Sequence, residues 1–383
     1  MSIPPESIAQ PLFEVEREGK NFIAEYFGHR VYPEVAHTLA STEDQVNGEC
    51  PFLSRAKATP TPCIKAESSR GVCVVSTLID KERHDWLVCP QRVLDPTFMR
   101  TAARQIFGFD ETDSLEFIAA PTLAEPEVRE SIRAWLNSSN TKVVVFFQDK
   151  LGGELGISKT STSPEFSFDW TLVEIEGFDP DPKLGRYGIL EIQTMDFHGS
   201  YKHAVGPVSE RRGDEDFHEW LGAPSGRAAL SKKMEGPNIS NVFKRTFYQM
   251  AYKFALGGHG KCAGTGFAIP QSVWISWLRH LANPALIDNG DGTHSLGDTS
   301  SETSNAWIFV FELHPNTTIS PRPLRPYLQI RVNTRTLREL ALVVSPQTAL
   351  ATGGPVDAVQ DKLRLRMNEY WNPSGKPRRR RQT

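Results

Sequence analysis

Between residues 142 and 195 the chain alternates β-prone runs with turn signals. KVVVFFQ, GGELGIS, FSFDWTLVEI and YGILEIQTM follow one another, divided by Gly152-Gly153, Ser163-Pro164 and the proline- and glycine-bearing GFDPDPKLGRYG. Short apolar runs bounded by such residues read as strands, and strands cannot satisfy their backbone groups singly. This stretch therefore commits the chain to a sheet.

Helical periodicity stands on either side of it. In PTLAEPEVRESIRAWLN the apolar residues Val128, Ile132 and Leu136 are four apart and Pro126 sits near the start, where a missing N–H costs nothing. In NISNVFKRTFYQMAYKFAL, Phe243, Phe247, Met250 and Phe254 define one apolar face, and Lys244, Arg245 and Lys253 lie away from it. AWIFVFEL and YLQIRV predict further strands around the turn-rich DNGDGTHSLGD. Strands between helices predict an α/β fold with a mixed sheet flanked by helices.

Two strand runs carry a carboxylate among apolar neighbours, Asp169 in SFDWTLVEI and Glu191 in YGILEIQTM. Residues i and i+2 of a strand face one way, which sets Gln193 beside Glu191. Glu154 in GGELGIS adds a third acid. Oxygen ligands on neighbouring strands are what Mg²⁺-assisted phosphodiester hydrolysis requires. Acids in β-prone runs are common, however, and on this pattern alone an ordinary sheet is the commoner outcome.

Four of the five cysteines, Cys50, Cys63, Cys73 and Cys89, fall in the first quarter, separated by 12, 9 and 15 residues. Clustered cysteines in a reducing compartment suggest metal ligands, yet this is not the tight C-x-x-C pairing of a strong zinc signature. Buried small hydrophobes are the alternative. Cys262, alone, reads as a packed thiol. The N-terminus shows no basic and apolar export signal, no run is long enough to span a membrane, and a cytoplasmic protein is the expectation. A net charge of -3, from 43 basic and 46 acidic residues, argues against an indiscriminate nucleic-acid binder. It leaves room for a basic cleft within an acidic surface.

Taken together and in order, GKNFIAEYFGHRVYPEV, CPF, RGVCVV, DWLVCP, KLGGELGISKT, SPEFSFDWTL, GILEIQTMDFHGSYKHAVG, GRAALSKKMEGPN and NVFKRTFYQMAYKFAL resemble the type II restriction endonucleases of the PD-(D/E)XK superfamily. The likeness covers nearly the whole chain and is weakest in the first twenty and last thirty residues. It implies a PD-(D/E)XK core over 110–281, preceded by an arm (1–20) and a cysteine metal-binding region (21–109). A C-terminal mixed region (282–370) and a basic tail (371–383) would follow.

The implied activity is Mg²⁺-dependent cleavage of double-stranded DNA by a homodimer at the G/C-only palindrome GCGGCCGC, leaving 5′-phosphate ends and 5′ overhangs. Asp169 and Glu191 would hold the metal, Gln193 would stand in the usual lysine position and Glu154 would be an extra acid. Phe168 replaces the proline of the family motif. The four N-terminal cysteines would bind one structural iron, with zinc as the other ion such a set accepts. An amide is no general base near neutral pH, so Gln193 is expected to orient water.

Guanine-rich recognition calls for arginine or lysine, and Arg227, Lys232, Lys233, Lys244 and Arg245 are the candidates. Solvated helix faces or phosphate contacts are the commoner role for each. Arg378 to Arg381 would add sequence-blind attraction. Two rival classes stand beside this: a non-cleaving DNA-binding protein on the same scaffold, and an electron-transfer iron protein, which explains only the cysteines.

Overall fold

The computed structural model describes residues 20–371, apart from 80, 139, 163, 179–180, 301–302, 316–318 and 352–353. The expected arm, save its last residue, and the arginines 378 to 381 of the tail lie outside the described residues.

NFIAEY and VCVVSTLI are proline-free and rich in β-branched and aromatic residues, and they form β1 (Asn21–Tyr26) and β3 (Val72–Ile79). With β2 (His29–Arg30) and β4 (Glu82–Leu87) they make an antiparallel sheet in the order β2-β1-β3-β4. The remaining strands are β5 (Ser114–Ala119), β6 (Thr141–Gln148), β7 (Leu155–Ile157), β8 (Phe166–Phe168), β9 (Trp170–Phe178), β10 (Pro182–Ile192), β11 (Cys262–Pro270), β12 (Ile287–Asp288), β13 (His294–Leu296), β14 (Ala306–Leu313) and β15 (Leu324–Val332). Nine of them form one mixed sheet, ordered β12-β13-β15-β14-β11-β10-β9-β6-β5, while β7 and β8 pair separately. The chain is thus α/β with a large mixed sheet flanked by helices.

The central strands β10, β11 and β14 run parallel, and the near-continuous burial of β11 and β14 reflects cover on both faces. Along β14, Ile308 and Val310 enter one core cluster and Trp307, Phe309 and Phe311 the other. The Ile239–Leu256 helix covers the first face with Val242, Met250 and Phe254. The Pro96–Phe107 helix covers the second, capped by Asp95, whose carboxylate accepts from Thr97 N–H at 3.0 Å. Pro126–Leu136 buries Ile132 against Val143 and Val145 of β6.

The small sheet is locked to this body by charge as well as packing. Glu25 of β1, wholly buried, takes Arg322 Nε at 2.8 Å and Arg92 at 3.3 Å. Removing Glu25 would leave two buried guanidiniums without their main anion. After β15 the chain turns helical, through Thr334–Glu339, a π-helical turn at Leu340–Val344, Ser345–Ala351 and Gly354–Trp371. Sequence reading had assigned no helices to this stretch.

Candidate active site and cysteine cavity

The run read as a single strand, FSFDWTLVEI, is two. β8 leaves the main sheet to pair with β7, and Asp169 is the bend between β8 and β9. Because Trp170 pairs with Leu190, Asp169 and Glu191 come to face each other at the end of the β9–β10 ladder. The Asp169 carboxylate accepts from Ile192 N–H at 2.8 Å, and the Asp169 N–H donates to Glu191 Oε1 at 3.4 Å.

Glu191 is 2% exposed, and its second oxygen lies 2.5 Å from Nζ of Lys253, itself 4% exposed. Lys253 therefore does not lie away from the packed side of its helix. The buried stripe is wide enough to include the position between Met250 and Phe254, and Glu191 supplies the anion that makes burying an ammonium tolerable. The ring of Phe168, 5.5 Å from Nζ, closes over it. Burial first, and Asp169 second, push the Glu191 carboxyl up to about 7, with Lys253 opposing both.

Next to this pair opens a pocket of about 270 Å³, lined by Gln91, Gln148, Asp149, Glu154, Asp169 and Gln193, with Arg245 and Gln249 from the helix above. Glu154 precedes β7 rather than lying on a strand of the main sheet. The Gly152-Gly153 turn presents it, with φ of 93° and 87°. A Cβ on Gly152 would also come within 2.9 Å of the Phe147 ring, so glycine is required for conformation and for space. Desolvation raises the Glu154 pKa, and Asp169 and then Asp149 add to it. Gln193 stands one residue past β10, its amide held at both ends: Oε1 accepts from the Thr246 hydroxyl at 2.8 Å and Nε2 donates to the Thr194 carbonyl at 2.7 Å.

Of the basic candidates, Arg245 lines the pocket and pairs with Asp196 at 2.6 Å. Lys244 is exposed on the same helix. Arg227, half-buried, donates to the Pro33 carbonyl at 3.4 Å, and Lys232 and Lys233 are exposed in the following turn. None of these last three lines the pocket.

Cys50, Cys63, Cys73 and Cys89 all line one small cavity of about 10 Å³. Backbone bonds explain the convergence. Cys50 N–H to Thr61 O (2.8 Å) and Cys63 N–H to Gly48 O (3.0 Å) close the loop carrying the first two, and Val88 N–H to Cys73 O (3.1 Å) sets Cys89 beside Cys73. No described cysteine is in a disulfide. The Cys73 thiol lowers the Cys89 pKa to about 6, assisted by Lys65, while the Cys73 pKa is raised and burial pushes Cys50 up to about 12. Among the described residues, however, no group of three or more His, Cys, Asp or Glu stands as a ready metal cage. The four cysteines line a small space, but their thiols are not drawn into a coordination shell. In donor chemistry alone, four thiols suit a thiophilic ion. Cys262 is elsewhere, buried on β11.

Gln91 lines both the cavity and the acidic pocket, and its Oε1 accepts from Gln148 Nε2 at 2.8 Å. The Oε1 of Gln148 itself is buried without a partner. An orphaned oxygen in a pocket of carboxylates fits a hard cation. Sequence reading missed Lys253, Gln148, Asp149 and Gln91. Only Lys253 left a trace, a cation one position from a core phenylalanine. No protein-family model and no curated protein matches this chain. Among the described residues no helix is long and apolar enough to cross a membrane.

Proposed function

We propose that the chain is a Mg²⁺-dependent endonuclease of the PD-(D/E)XK class, a type II restriction enzyme cutting double-stranded DNA at GCGGCCGC as a homodimer. The observation that carries this reading is the Asp169–Glu191 pair at the β9–β10 end, with Lys253 buried against Glu191 beside an acidic pocket. Asp169, Glu191 and Glu154 are the oxygens that would hold the ion. When bound, the ion would polarise the phosphoryl oxygen and lower the pKa of the attacking water.

The chain's own side chains do the rest. Lys253 reaches the acids from the neighbouring helix and supplies the positive charge that Gln193, in the family's lysine position, lacks. Gln193 positions rather than ionises, since its amide is fixed by Thr246 and Thr194. Arg245 stands at the rim for a phosphate. The cysteine cavity would be a structural iron or zinc site, behind the acidic pocket rather than part of bond cleavage.

Digestion of a plasmid with one GCGGCCGC site, with Mg²⁺ and with chelator, followed by sequencing of the ends, tests this. A single Mg²⁺-dependent cut there is expected. Cuts at other G/C-rich sites would retain the nuclease and discard the specificity, and no cleavage by folded, metal-loaded protein would overturn the reading.

A further inference from the structure

The β7–β8 ribbon grows out of two acids that border the pocket. Glu154 immediately precedes β7, and Asp169 immediately follows β8. The ribbon's register sets Leu155 opposite Phe168 and Ile157 opposite Phe166. Opposed residues of an antiparallel pair, and residues two apart on one strand, share a face. These four apolar side chains therefore lie on one side of the ribbon, and Gly156 and Ser167 lie on the other. The apolar side meets the Ile239–Leu256 helix. Lys253 Nζ is 5.5 Å from the centre of the Phe168 ring, and the rings of Phe166 and Tyr252 are 5.6 Å apart.

Phe168 is buried, but the surface continues outward into solvent. Leu155 is 43% exposed, Ile157 52%, Tyr252 42% and Tyr248 60%. The rings of Tyr248 and Tyr252 stand 5.0 Å apart. A hydrogen bond between their hydroxyls, which raises the Tyr248 pKa, fixes the pair. Each tyrosine follows by three residues a side chain that lines the acidic pocket, Arg245 for Tyr248 and Gln249 for Tyr252. Residues three apart on a helix are neighbours, so this aromatic surface is continuous with the pocket rim.

At roughly 150–250 Å² for a fully exposed large side chain, the four leave on the order of 400 Å² of apolar surface in water. A stable protein partner would cover about 800 Å². The area is small for a protein and ample for a nucleobase, which stacks on an aromatic face whatever its identity. A phosphate at Arg245 and a base on Tyr248 would be about 4.5 Å apart along the helix axis, within the reach of one nucleotide.

We propose that Tyr248, Tyr252 and the exposed ribbon face stack one unpaired base of the strand whose phosphate enters the acidic pocket. The choice of occupant rests on the nuclease reading. Tyr248, the more open ring, supplies the stacking face, and Tyr252, itself against Phe166, braces it. Leu155 and Ile157 extend the apolar contact. Lys159, two residues past Ile157, and Lys244, four before Tyr248, are exposed and are the cations available to neighbouring phosphates. A base clamped here fixes the register of the scissile phosphate over the acids.

Base analogues that brighten on unstacking test this, with Ca²⁺ replacing Mg²⁺ so that DNA is bound without being cut. Pyrrolo-cytosine or 6-methylisoxanthopterin replaces, in turn, each cytosine and guanine of a GCGGCCGC duplex and of its flanking pairs. The native chain should raise the fluorescence several-fold at one position. Tyr248→Ala/Tyr252→Ala should abolish that rise and weaken binding about tenfold to a hundredfold, while Tyr248→Phe keeps both. Circular dichroism should not change, since both rings are exposed. A short fluorescein-labelled single strand, read by anisotropy, should lose the same factor in the double variant. Bound duplex with no rise at any position, or a rise and a single-strand affinity that survive the double variant, overturns the proposal. Cleavage without unstacking removes this inference and leaves the nuclease. A single strand held through the tyrosines by a chain that never cuts does the reverse.

Discussion

The acidic pocket and the cysteine cavity share a wall and are built by opposite rules. The first is about 270 Å³, lined by carboxylates and amides. The second is about 10 Å³, lined by four cysteines. A site that must admit a phosphate and exchange its products needs an open side, whereas one that braces a fold needs a filled shell and no path to solvent. Charge is handled differently as well. Glu191 is balanced by Lys253 and two further acids stand at a pocket edge, while the Cys73 thiol lowers the pKa of Cys89 and its own is raised.

Substitutions can break this contrast, beginning with the largest effect. Asp169→Ala should slow cleavage by at least about 10³-fold, or some 4 kcal/mol of barrier, while gel-shift binding to the cognate duplex in Ca²⁺ is retained. Loss of the native circular dichroism would instead make Asp169 structural. Lys253→Met should cost about 10²-fold in rate and roughly 3 kcal/mol in stability, because it leaves Glu191 buried without its cation.

The same variant carries a pH signature. A carboxyl raised from 4.5 to about 7 keeps its proton longer in the folded state. Its contribution to stability is therefore greatest below pH 4.5 and falls as pH rises towards 7. Activity that needs the carboxylate should rise through about pH 7. Without Lys253 that limb should move to higher pH in the rate profile, and an unmoved limb would detach Lys253 from Glu191.

On the other side of the comparison, Cys73→Ser should lower the bound iron or zinc measured by elemental analysis. It should cost about 1–3 kcal/mol in thermal unfolding, because burying a hydroxyl among apolar neighbours costs more than burying a thiol. Unchanged metal content would remove Cys73 from the ligand set. The smallest effect is expected from Gln193→Glu, about tenfold in rate with an altered Mg²⁺ optimum. A rate and metal dependence both left untouched would end the positioning role of Gln193.

Local signals carried much of this in the sequence. Strand composition and turn residues marked β6, β9, β10, β14 and β15, and four-residue spacing marked the helices at Pro126–Leu136 and Ile239–Leu256. Asp169 and Glu191 were legible because β pairing across a short connection brings neighbouring runs together. What failed was non-local. The departure of β8 from the main sheet depends on β7, and the burial of Lys253 depends on an acid sixty-two residues earlier. The convergence of the cysteines needed a loop closed by backbone bonds at Gly48 and Thr61, which spacing does not encode. The C-terminal helices escaped because their apolar positions face water, so periodicity found no core to answer it.

One side chain crosses the divide between the two sites. Gln91 follows Cys89 by two residues, borders both spaces and holds Gln148 at the floor of the acidic pocket. A shift of the 89–91 segment moves the hinge-pin of both chambers at once. On the proposed function, removing an ion held by the cysteines would thus be felt as a slackened grip on a DNA strand before any unfolding is seen, and the thiol chamber would act as a tensioner for the acidic one.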